Sequence, residues 1–224
     1  MTTSMIWILM IAVMFASMFI QARLKSRFEK YSEVPTGLSG AEVAQRMLQA
    51  HGIHDVNIVS VEGTLTDHYN PQNKTVNLSH DVYYGRNVAA AAVAAHECGH
   101  VVQHATGYAP LRLRTAMVPV LTFTNSWISW VLLAGLIFYQ AFPSLLWIGI
   151  LLFALTTVFS FVTLPVEINA SSRAVEWLDS AGIVSYETKP MAQDALKWAA
   201  YTYVIAAIGS LATLLYYISI ARRR

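Results

Sequence analysis

Five consecutive residues, His96-Glu97-Cys98-Gly99-His100, set two imidazoles four positions apart with a carboxylate directly after the first. On a helix, residues four apart lie one turn apart on the same face, so both imidazoles can reach one metal ion. Glu97 is turned from His96 by about 100°, which puts it beside that ion. The chemistry this predicts is zinc-assisted hydrolysis: zinc-bound water loses its proton to Glu97 as general base, and Glu97 relays it to a leaving amine. A chance match to the pattern is expected on the order of 0.01 times at this chain's His and Glu content. The motif also sits in an apolar stretch, where imidazole and carboxylate groups are costly unless they are paired or bound to metal.

A catalytic zinc takes three protein ligands and keeps one position open. With Cys98 the one cysteine, the third ligand must be a histidine or a carboxylate, and the candidates are His104, His68, Asp67, Glu167 and Glu176. His104 shares the face of His100 but lies a further turn along. Glu167 is the strongest, since it follows Pro165 at the end of an apolar segment. Ala170, Ser171 and Ala174 come after it at helical spacing, a small-residue face suited to close approach by the motif helix. Taken alone, a carboxylate at that place is equally well explained as a residue of the membrane boundary. Cys98 is about 200° round the helix from His96 and reads as a packed small residue. Gly99 reads as a point of close backbone approach. Asp67, His68 and Tyr69 suit a metal-orienting or oxyanion role, although a turn ending at Pro71 is the plainer reading. Tyr201 and Tyr203 read as interfacial anchors, with an oxyanion donor as the sharper alternative. Arg173 suits an ion pair with Glu176.

The elements that must position these groups are mostly apolar. Of 224 residues, 55% are hydrophobic and 12% charged, against roughly 25% charged in ordinary soluble domains. A net charge of +2, without a basic face, is too small to suggest a nucleic-acid partner, and none is expected. Four segments are long enough to span a bilayer: Met5 to Ala22, Val118 to Tyr139, Ser144 to Leu164 and Ala199 to Ile220. Arg23, Lys25, Arg27 and Lys30 follow the first, which marks an uncleaved anchor. Gln140 to Pro143 joins the second and third into a helical hairpin. In the polar region, Ser39 and Glu42 form a capping-box pattern for a helix reaching about Ala50. Val56 to Val61 and Thr75 to Leu78 read as short strands, and Asn87 caps a helix from Val88 to about Thr106. Thr75 to Leu78 is expected to offer an open sheet edge on which an extended peptide can pair.

The division that follows is an anchor at 1–22, a catalytic region at 23–115, a transmembrane hairpin at 116–165, a third-ligand helix and connector at 166–198, and a last span with a basic tail at 199–224. The fold class is a mainly α integral membrane protein, multi-pass, with four transmembrane helices and a small α+β zincin-like catalytic region. Basic residues gather on the side of the polar region, which the positive-inside rule places in the cytoplasm, although Arg222, Arg223 and Arg224 then stand against the rule.

Four stretches taken together carry a resemblance. They are Leu65-Thr66-Asp67-His68-Tyr69-Asn70-Pro71, Ala94-Ala95-His96-Glu97-Cys98-Gly99-His100, Glu167-Ile168-Asn169-Ala170-Ser171 and Ala199-Ala200-Tyr201-Thr202-Tyr203. The chain resembles the YugP-like neutral zinc metallopeptidases, membrane relatives of the HtpX-type gluzincins, from Thr36 to the last span. The resemblance implies one catalytic zinc ion, Glu167 as its third ligand, and an endopeptidase acting on polypeptides, membrane proteins among them, at the bilayer surface. In the HtpX-type pattern an aspartate often stands four residues after that glutamate; Ser171 holds the place here. A non-catalytic membrane scaffold with a structural zinc is the alternative, and it would need a fourth ligand such as His68 or His104. A metal transporter fits poorly, because the spans carry almost no ionisable residues.

Overall fold

The computed structural model describes residues 3–223. Met1 and Thr2 of the expected anchor and Arg224 of the basic tail lie outside the described residues. In chain order the elements are α1 (Thr3–Ser32), α2 (Gly40–Ala50), β1 (Asn57–Val61), β2 (His68–Asn70), β3 (Thr75–Ser79), α3 (His80–Tyr84), α4 (Val88–Ala105), α5 (Ala109–Ile137), α6 (Pro143–Ser180) and α7 (Lys189–Arg223). The protein is mainly helical with one small three-stranded sheet.

Four helices, α1, α5, α6 and α7, are long and apolar enough to cross a membrane; they contain the apolar segments found in the sequence, except that α5 ends at Ile137 and leaves Phe138 and Tyr139 in the turn that follows. All four are longer than those segments. Apolarity stops where charged residues begin, but Lys, Arg, Glu and Gln are good helix formers and the helices run on through them. α6 is the extreme case: its 38 residues span about 57 Å at 1.5 Å per residue, against a hydrocarbon layer of about 30 Å. Pro165 lies inside it without ending it.

The chain forms two compact units. One comprises 1–19, 112–164 and 202–224. In it α5 and α6 approach closely because Gly135 has no Cβ; one built there would stand 2.7 Å from Leu146 Cα. Close approach through small residues is how helices pack in lipid. Ile128, Leu132, Leu146, Ile150 and Ala221 form the buried cluster around that approach, and the Tyr139 hydroxyl donates to the Ala221 carbonyl at 2.9 Å. Large apolar groups face outward, Phe123 at 73% and Trp130 at 68% exposure. Such a surface suits lipid and would be a liability in water.

The other unit comprises 20–111 and 165–201. α2 starts with the expected capping box: the Ser39 amide donates to Glu42 Oε2 at 2.8 Å and the Glu42 amide to Ser39 Oγ at 3.3 Å. Val43, Ala44, Met47 and Leu48 of α2 are buried with the alanines of α4. Asn87 caps α4, its Oδ1 accepting from the Ala90 amide at 2.8 Å.

The sheet order is β1-β3-β2, with β1 parallel and β2 antiparallel to β3. This corrects the expectation for Thr75 to Leu78: β3 is the central strand, paired on both sides, and its Val76 and Leu78 are fully buried. Over Thr75 to Asn77 its backbone is paired on both sides, and the outer strands of the sheet are β1 and β2. β2 and the short α3 were not expected from the sequence.

Gly99 of α4 faces α6, and a Cβ there would lie 2.6 Å from the Ala170 carbonyl oxygen. Since the obstacle is backbone, Gly99→Ala must push the helices apart. It should cost about 1–3 kcal/mol, read as a lowered thermal midpoint in detergent; an unchanged midpoint would contradict this packing.

Candidate metal centre

Because α4 and α6 lie backbone to backbone at Gly99 and Ala170, side chains one turn to either side converge. Glu167 of α6 is 2% exposed. Its Oε2 lies 3.3 Å from His96 Nε2 and 3.6 Å from His100 Nε2. The two imidazoles stand at 82° with ring centroids 4.8 Å apart, as residues one turn apart on a helix must. Among the described residues, His96, His100 and Glu167 form the one group of three or more His, Cys, Asp or Glu side chains that could hold a metal, with ligand atoms within 4.8 Å of one another.

The far side of each imidazole is engaged as well. His96 Nδ1 is 3.1 Å from the Ser171 hydroxyl. His100 Nδ1 is 3.0 Å from Gln103 Oε1. Burial alone lowers the pKa of His100, but the adjacent Glu167 and Glu97 carboxylates outweigh it and hold the imidazole above its ordinary value. A pocket that favours positive charge in this way also favours a cation.

Glu97 is buried and does not join the cluster. Its Oε2 accepts from the Tyr69 amide of β2 at 3.0 Å, so the strand holds the carboxylate beside the two histidines. β2 is itself held by the residue before it and by its central residue. Asp67 Oδ1 accepts from the Ser79 amide at 2.7 Å and the Ser79 hydroxyl at 3.1 Å, and the Tyr69 hydroxyl lies 2.8 Å from His104 Nδ1.

A family model described as "Putative neutral zinc metallopeptidase" matches residues 6–222. The chain belongs to this family. It is also 42% identical over 214 residues to "Putative membrane protease YugP" of Bacillus subtilis (strain 168), covering 95% of this chain and 94% of that protein. No solved structure matches the chain.

For a neutral zinc metallopeptidase the implied metal is zinc, and the donor set here fits it. Tetrahedral zinc with bonds of about 2.0–2.2 Å holds neighbouring N and O donors about 3.3–3.5 Å apart, close to the two separations from Glu167. Two nitrogens and one carboxylate oxygen also leave the open position that catalysis needs. The other sequence candidates lie elsewhere. His68 Nδ1 is 2.7 Å from the Thr66 carbonyl, Glu176 accepts from Ser172, and His104 pairs with Tyr69. Arg173 donates from Nε to Asn169 Oδ1 at 2.8 Å. Cys98 is fully buried, and burial pushes its thiol pKa up, which suits a packing residue and not a ligand.

Gln103 and Asn169 escaped the sequence reading. The available signal was spacing: Gln103 falls three after His100 and seven after His96, one helix face, and it is fully buried.

Asp67 serves the β2–β3 hairpin. Burial raises its pKa, against the Ser79 amide and hydroxyl, which lower it. Asp67→Ala leaves the Ser79 amide without that acceptor, and a loss of about 1–3 kcal/mol of stability is expected. Chemical unfolding of the purified variant measures it; wild-type stability would show that the hairpin does not depend on Asp67.

Proposed function

We propose that the protein is a membrane-embedded zinc endopeptidase in which His96, His100 and Glu167 hold one zinc ion and Glu97 is the general base. The observation that carries this reading is the convergence of two Nε2 atoms and a buried carboxylate, with a separate carboxylate fixed alongside. Bound zinc supplies Lewis acidity toward a water and a substrate carbonyl. The protein's part is positional and acid–base. His96 and His100 present Nε2 because their Nδ1 atoms are engaged behind them. Glu97 takes a proton from the attacking water and delivers it to the amide nitrogen that leaves. The Tyr69 amide fixes the rotamer of Glu97 and leaves its other oxygen for that transfer.

The substrates in this reading are polypeptides, membrane proteins among them, cleaved close to the membrane surface. Its support is chain position: Glu167 follows the apolar run ending at Leu164 by three residues in the same helix. The catalytic part is zincin-like, built from 23–115 with the helix of 166–198, and its cytoplasmic placement rests on Arg23, Lys25, Arg27, Lys30, Arg112 and Arg114. A structural zinc would call for a fourth protein ligand. His68 and His104, the candidates for it, are engaged by Thr66 and Tyr69.

The test is Glu97→Gln in full-length protein purified in detergent. Zinc content should stay at one per chain while casein or peptide cleavage falls by about 10²–10⁴-fold. Undiminished cleavage would refute the role given to Glu97.

A further inference from the structure

Gln103 uses both ends of its buried amide. Nε2 lies 2.7 Å from the Val166 carbonyl oxygen and 3.0 Å from Asn169 Oδ1. A backbone carbonyl can only accept, so the nitrogen must face Val166 and the amide cannot be flipped. Asn169 is fixed by the opposite argument. Arg173 Nε, 2.8 Å away, can only donate, so the atom facing it must be the Asn169 oxygen. Oε1 of Gln103 therefore points at His100 Nδ1, 3.0 Å distant. An amide oxygen cannot donate, so Nδ1 carries a proton and Nε2 is the nitrogen turned toward Glu167. Each polarity along Arg173, Asn169, Gln103 and His100 is set by a group with one possible role. His96 differs: its Nδ1 meets the Ser171 hydroxyl, which can either donate or accept and so fixes no tautomer.

We infer that Gln103, held in place by Asn169 and Arg173, is the positioning residue that locks His100 as the Nδ1–H tautomer and aims its Nε2 at the metal. The inference rests on the proposed role of His100 as a ligand, and it adds an asymmetry between the two histidines. His100 is fixed by a relay that starts on the ligand-bearing helix α6, so the helix that brings Glu167 also sets the proton of its co-ligand. Loss of such an outer partner costs about 10–100-fold in metal affinity.

Two measurements on the full-length protein test it. The first is zinc affinity by chelator competition, with Zn²⁺ alone as probe. Gln103→Met should weaken binding about 10–100-fold and Asn169→Val by a smaller factor, while the double variant should be no weaker than Gln103→Met. Unchanged affinity in Gln103→Met, or losses that multiply in the double variant, would overturn the relay. The second needs no variant: two-bond ¹H–¹⁵N correlation on ¹⁵N-histidine protein reads which nitrogen of His100 is protonated. A slowly exchanging proton on Nδ1 is expected, and an unprotonated Nδ1 overturns the inference even if Gln103→Met fails to fold. Wild-type protein that binds no zinc would instead sink the proposed function, leaving the Nδ1 signal to decide the inference by itself.

Discussion

Glu167 places a carboxylate at 2% exposure between two imidazole nitrogens, and much of the unit around it is arranged to make that tolerable. Removing one ion from water costs several kcal/mol even after relaxation, so the carboxylate needs positive partners at short range. It can reach them only if two helices nearly touch. α4 answers with glycine at 99 and a run of alanines, and α6 with alanine at 170 and 174. The price of that closeness is a core of small side chains, with bulk supplied from behind by Met47 and Leu48 of α2, Leu178 of α6 and Leu196 of α7.

The second constraint is orientation. The proposed metal site, built on one helix and closed from another, needs each donor aimed, and the aiming groups come from different elements. Ser171 of α6 takes His96, Gln103 of α4 takes His100, and the Tyr69 amide of β2 takes Glu97. This gives the small sheet a chemical purpose. β2 has only three residues, but pinned by Asp67 and by the Tyr69–His104 contact it is long enough to present one amide to one carboxylate.

Much of this was legible in the chain. The His-Glu-x-x-His spacing, the four apolar segments, the caps at Ser39 and Asn87, and the small residues after Glu167 are local signals whose physics acts over one or two helical turns. What was not legible is nonlocal. β2 has three residues, too short to show an alternating pattern, and without it Thr75 to Leu78 looked like an edge and not the centre of a sheet. The third apolar segment ends at Leu164, but α6 continues through Pro165 to Ser180, since loss of apolarity marks the end of a span and not of a helix. Gln103 carried no signal of its own in the chain, because its amide is met by Val166 and Asn169 of α6. The partners that define its role lie more than sixty positions away.

The most direct measurement is X-ray absorption at the zinc edge of the full-length protein in detergent. Two imidazoles with oxygen donors, at Zn–N of about 2.0–2.1 Å and Zn–O of about 2.0–2.2 Å, are expected, with one imidazole lost in His100→Ala and the number of imidazoles unchanged in His104→Ala. A third imidazole, or a sulfur shell near about 2.3 Å, would contradict a centre made by His96, His100 and Glu167.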